Sequence, residues 1–239
     1  MRPVDKGSSP CASFSEYGDA KPYLLERLGN YCSYCEIHIA LNANIAVEHM
    51  EAKAYKPNLK REWSNFLISC TMCNSMKSAK DGRPLGHEKG PRDFDKNLYL
   101  WPDEHDTWNA FRYLKDGRVI VNPNLAWQDR VSARRTRCLF KLNRTENEDS
   151  DNRFQLREQV NRTARHYLAK YEAALKIGYP VSELFELIYD IAKRDGFWSV
   201  WMTVFADHED MCRKLINGFK GTNKAYFAQK LGGTKGADS

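Results

Sequence analysis

Two Cys-x2-Cys knuckles, Cys32-Ser33-Tyr34-Cys35 and Cys70-Thr71-Met72-Cys73, stand 34 residues apart in this chain. Each knuckle sets two thiolates on one tight turn. Two such turns complete a tetrahedral four-thiolate Zn²⁺ site, because Zn²⁺ favours thiolate and asks for no further geometry. A redox Cys-x2-Cys motif or chance is the alternative. A shell closed by four cysteines leaves no open coordination position, so this zinc is expected to be structural. Function must then come from the residues it holds in place. The seven cysteines are an odd number, and in a reducing compartment closely spaced pairs are metal ligands before they are disulfides. Cys11, Cys138 and Cys212 have no such partner and read as small apolar residues, buried or half-buried.

Between the knuckles, residues 44–49 alternate and end in Glu48-His49, as a strand would, and residues 63–69 form a second strand leading into Cys70. The two are expected to pair as a hairpin. After Cys73, Asn74 is placed to cap a short helix on which Lys77 lies three residues along the same face. The outcome is a strand, strand, helix unit clamped by zinc. It brings His49, Asn65 and Asn74 toward one place, with Glu48 beside them.

Elsewhere the patterning is mostly helical. Leu24, Leu25 and Leu28 mark a short helix stopped by Gly29, and residues 94–126 read as a hairpin extension around Lys115-Asp116-Gly117-Arg118. Residues 127–142 read as a helix with Trp127, Val131, Cys138 and Leu142 on one side. The polar run 143–152 is the best candidate boundary, after which apolar residues from Leu156 to Leu175 recur every three or four positions up to Gly178-Tyr179-Pro180. Helical segments at 181–193 and 197–219 follow, then a Gly/Lys-rich tail expected to fray. The expected class is α+β: a first region at 1–143 with a zinc-clamped ββα core at about 30–82 and a following extension, a linker at 144–152 and a mainly helical region at 153–239.

The string Cys32-x2-Cys35, Glu48-His49, Trp63-Ser64-Asn65, Cys70-x2-Cys73-Asn74-x2-Lys77 resembles the zinc-bearing HNH endonucleases of the ββα-metal fold, whose three letters fall here on His49, Asn65 and Asn74. The wider layout, with Arg2-Pro3-Val4, Tyr31 to Glu36 and a helical second half, is similar to the PtuB family of HNH subunits of Septu-type and retron-associated anti-phage defence systems. That resemblance implies a partner ATPase. Many HNH enzymes carry His where Asn74 stands; a carboxamide is a harder, weaker ligand than imidazole and favours Mg²⁺ or Mn²⁺ over a transition metal.

Phosphodiester hydrolysis needs a base for water, a cation for the charge gathering on phosphorus, and donors that fix the backbone. His49 is expected to be the base, Glu48 and Asn74 to hold one divalent ion, and Asn65 to fix the loop and the His49 ring. Lys77 and Lys80 are expected to contact phosphate. Plainer readings exist: Glu48 as a surface acid, Asn65 as a turn amide, Asn74 as a cap only. His38, His87, His105, His166 and His208 match no position of the constellation. Arg130, Arg134, Arg137, Lys141 and Arg144, spaced 4, 3, 4 and 3, would form one helical stripe, either a solvated face or a track for phosphate backbone. Phe197, Trp198, Trp201, Met202 and Phe205 read as core or partner interface rather than a base-stacking platform.

Composition bounds the remaining classes. With 42% hydrophobic and 12% aromatic residues and a net charge of +6, the chain is globular rather than disordered. Its longest strongly apolar run, 197–205, is about half of the roughly 20 residues that cross a bilayer. Residues 1–6 carry no apolar run of a secretory signal, so a cytoplasmic protein without membrane contact is expected. The expected partners are nucleic acid, DNA before RNA, and the ATPase. A non-catalytic zinc-dependent nucleic-acid-binding module, or a subunit that assembles the ATPase, is the rival class.

Overall fold

The computed structural model describes residues 1–40, 43–78, 94–145 and 151–228. Strands β1 (Ile45–His49) and β2 (Phe66–Cys70) pair antiparallel, with His49 opposite Phe66 and Ile45 opposite Cys70. β2 is buried from Phe66 through Ser69, which explains its unbroken apolar run: a strand covered on both faces has no polar side to alternate with. It starts at Phe66 and not at Trp63, since Trp63–Asn65 coils into a 3₁₀ turn. Two side chains hold that turn: the Trp63 indole donates to the Gly7 carbonyl, and the Asn65 amide donates to the Glu51 and Leu59 carbonyls.

Helix α1 (Lys21–Leu28) packs on β2, and Gly29, with φ 73°, ends it before the first knuckle. Cys70 closes β2 and helix α2 (Thr71–Ser78) begins at the next residue, so Cys73 returns one turn later beside it. Asn74 lies inside this first turn and does not cap the helix. Beyond α2 come α3 (Thr107–Ala110) and a second hairpin, β3 (Phe111–Tyr113) with β4 (Val119–Val121), as expected for the extension.

Helix α4 (Trp127–Leu139) departs from its expected face. Trp127 is 68% exposed, and the buried side is Ala133, Thr136 and Leu139. Thr136 sets that rotation, because its hydroxyl bonds the backbone of Leu100 inside the core. The helix stops at Leu139, and Lys141 takes the left-handed region at φ 44°. The basic stripe is therefore helical only at Arg130, Arg134 and Arg137; Lys141 and Arg144 lie past the helix end. Of the linker, residues 146–150 lie outside the described residues.

The helical part comprises α5 (Arg153–Lys176), α6 (Ser182–Asp195), α7 (Trp198–Val204) and α8 (Glu209–Gly218). Phe197, Trp198, Trp201, Met202 and Phe205 are buried, as core residues are. One apolar cluster runs from Met1 to Phe227 through both parts of the chain. Three ties lock the helices onto the first knuckle. Both oxygens of the buried Glu36 carboxylate accept from Ser199, from its backbone N–H and its hydroxyl. The Phe197 N–H donates to the Glu36 carbonyl, and Ile37 bridges to Gly196. No helix among the described residues is long and apolar enough to cross a membrane.

Candidate active site

The four knuckle sulfurs all lie within 4.8 Å of one another, and Cys35 Sγ and Cys70 Sγ are 3.7 Å apart. A disulfide needs about 2.05 Å. A tetrahedron with Zn–S bonds of about 2.3 Å has edges of about 3.8 Å, so the cluster has the dimensions of a Zn²⁺ site. Two donors face its sulfurs: the Cys73 N–H reaches Cys70 Sγ at 3.4 Å and the Arg153 guanidinium reaches Cys73 Sγ at 2.9 Å. Donors of this kind stabilise the negative charge of a four-thiolate shell. Arg153 opens α5 and also binds Asp151 and the Phe140 carbonyl. No motif in the sequence points to it.

The hairpin beside the four-cysteine cluster places β1 so that His49 ends the strand. The residue is 8% exposed, and its ring sits edge-on to Phe66 and Tyr17, with centroids 5.1 and 5.0 Å away. His49 Nε2 is 2.9 Å from the Lys60 carbonyl. A carbonyl only accepts, so Nε2 carries the proton and Nδ1 is the basic nitrogen. Burial lowers the pKa of this histidine below its usual value, opposed by the Lys60 carbonyl. The ring is thus oriented by a backbone carbonyl and not by the Asn65 amide. Asn65 instead accepts from the Glu51 N–H and donates to the Glu51 and Leu59 carbonyls, which closes the loop after His49. Side-chain motifs reveal Asn65; a backbone carbonyl such as that of Lys60 leaves no trace in a sequence.

Glu48 is buried and no surface acid. Its Oε1 lies 2.7 Å from Lys77 Nζ, and its Oε2 accepts from the Tyr34 hydroxyl of the first knuckle. Lys77 also donates to the His49 carbonyl. Lys77, expected at phosphate, is therefore placed in an ion pair, and Tyr34 emerges as a site residue that the sequence reading missed. Tyr34 stacks on Phe140 at 3.8 Å, and burial raises its hydroxyl pKa well above the ordinary value, so it stays a donor.

Glu48, His49, Asn74 and Lys77 line one cavity of about 580 Å³, walled further by Tyr17, Lys21, Lys53 and Tyr55. A carboxylate has about four lone-pair positions, and Glu48 uses two, leaving two. Together with the Asn74 carboxamide this makes a hard oxygen donor set, which fits Mg²⁺ or Mn²⁺ with several waters retained. Lys80 and His87 lie outside the described residues. Arg130 and Arg137 rest on the Pro123 and Val119 carbonyls at 3.5 and 3.4 Å, and Arg134 is exposed.

Residues 32–80 match the family described as HNH endonuclease. A Septu protein PtuB from Bacillus thuringiensis is 40% identical over 68 residues. That stretch spans 26% of this chain and 26% of that protein, so the likeness covers about a quarter of the relative's length. A hairpin, a helix, four clustered cysteines and a strand-end Glu48-His49 coincide with the matched span. Residues 32–80 accordingly match the HNH endonuclease family and carry, among the described residues, a ββα unit with a four-cysteine cluster of zinc-site dimensions, in a chain similar over part of its length to a PtuB protein.

Proposed function

We propose that this chain is a metal-dependent endonuclease that hydrolyses phosphodiester bonds, with DNA as its first substrate, and that it serves as the effector nuclease of an anti-phage defence complex with an ATPase partner. The observation that carries the catalytic part is the juxtaposition in one cavity of a histidine with a free Nδ1, a carboxylate and a carboxamide. The defence setting rests on the likeness to a Septu protein.

In this reading, His49 Nδ1 takes the proton of the attacking water while the Lys60 carbonyl holds the ring. Lys77 and Tyr34 hold Glu48 in place, and Glu48 and Asn74 would be the protein ligands of a divalent ion. Such an ion supplies charge neutralisation at the scissile phosphate and at the leaving 3′ oxygen. Asn65 keeps the following loop closed.

The test is cleavage of plasmid by the purified chain, alone and with the product of its neighbouring gene, with Mg²⁺ present or chelated. His49→Ala should lower cleavage roughly 10²- to 10⁴-fold, the range for losing a general base. Cutting by His49→Ala at the wild-type rate, under matched Mg²⁺ and partner, would discard the mechanism.

A further inference from the structure

The charged side chains lining the cavity are Lys21, Lys53, Lys77 and Glu48. Lys77 and Glu48 cancel at 2.7 Å, whereas Lys21 and Lys53 form no ion pair with a described residue. The wall around His49 is thus left with two positive charges from elements outside the Glu48-His49 strand. Lys21 opens α1 directly after the 3₁₀ turn Tyr17–Ala20. Lys53 stands on the loop that Asn65 closes through Glu51 and Leu59.

Lys53 is also fixed relative to the base. Its ammonium lies 3.9 Å over the Tyr17 ring, and that ring meets the His49 imidazole edge-on at 5.0 Å. A cation held over an aromatic face gains from the ring quadrupole and loses little freedom when an anion arrives. Backbone phosphates are the anions such a cavity suits, because they are spaced along a strand and carry no sequence information.

We propose that Lys21 and Lys53 are the phosphate contacts of the substrate strand beside His49, with Tyr17 the positioning residue that sets Lys53 against the base. This rests on the endonuclease reading above and adds residues to it. Lys21 and Tyr17 precede the matched HNH span, so the N-terminal segment completes the site. The two lysines take over the task that Lys77, held by Glu48, does not perform.

The experiment measures binding, not cleavage, so that its failure is distinguishable from that of the catalytic reading. The full chain carrying His49→Ala is titrated into labelled duplex and single-stranded DNA between about 50 and 200 mM salt. Lys21→Ala with Lys53→Ala should lower the slope of log affinity against log salt by about 1.8 on duplex and about 1.4 on single strands, at about 0.9 and 0.7 per phosphate contact. Zinc content and melting temperature are read alongside, and Lys21→Gln with Lys53→Gln provides a second, longer side chain without charge. Tyr17→Ala should weaken binding less in the Lys53→Ala background than alone, and Tyr17→Phe should retain wild-type affinity. An unchanged slope in both lysine pairs, or no salt-dependent binding by the parent chain, overturns the assignment. An unchanged slope removes only these contacts and leaves standing the endonuclease reading, which the separate cleavage assay of the wild-type chain and of His49→Ala tests.

Discussion

Glu48 and Lys77 face each other at 2.7 Å with 2% and 8% of their side chains exposed, so the acid beside the proposed base is neutralised by the helix that carries Asn74, the proposed second metal ligand. One ion pair joins β1 to α2 across the cavity. Taking one partner away leaves a buried charge without compensation. Lys77→Met is therefore expected to cost about 3–5 kcal/mol, a fall in Tm on the order of 10 °C for a chain of this size. Glu48→Gln with Lys77→Met should recover most of that loss. Thermal denaturation of the two variants decides it: equal melting would show that the pair contributes nothing.

The pH dependence of cleavage follows from the burial of His49, which lowers its pKa below 6.5. A base works unprotonated, so the rate should fall as pH drops through that lowered value and level off above it. Lys53 pushes the same pKa down. Reversing its charge with Lys53→Glu should move the acid limb to higher pH. A limb that moves the other way, or a rate still climbing above neutrality, would point to a different titrating group.

Metal analysis should find one tightly held zinc per chain. Cys32→Ser or Cys70→Ser should give unstable or insoluble protein, since binding the ion contributes a large share of the folding free energy of so small a unit. Arg153→Met is milder: with its donor to Cys73 gone, zinc affinity should drop roughly 10- to 100-fold while the chain still folds. Competition with a chromogenic chelator reads this, and an unaltered affinity would make Arg153 merely a helix anchor.

Gly196 joins the helices to the first knuckle at φ 75°, where a Cβ would meet the Glu36 carbonyl at 2.6 Å and the His38 nitrogen at 2.7 Å. Both obstacles are backbone and cannot swing aside. Gly196→Ala should destabilise by roughly 1–3 kcal/mol while zinc content stays at one per chain. Wild-type melting would mean that this contact is not needed to dock the helices.

The elements legible in the sequence are those whose cause is local. The knuckles declare a four-thiolate cluster because two thiolates three residues apart share one turn. β1, α5 and α6 follow from periodicity, and Glu48-His49 from its place between the knuckles. Tertiary structure decided the rest, because those residues act through partners far along the chain. Lys77 reads as a free cation until α2 lies on β1 and Glu48 claims it. The His49 ring is aimed by a carbonyl that every residue possesses, so only the closed loop shows that Lys60 supplies it. Arg153 meets Cys73 across 80 positions. The basic stripe looked continuous because spacing assumes a helix that continues, whereas α4 ends at Leu139 and Lys141 turns left-handed. Chain-local chemistry is written in spacing; which charge stays free for a substrate depends on what packs against it.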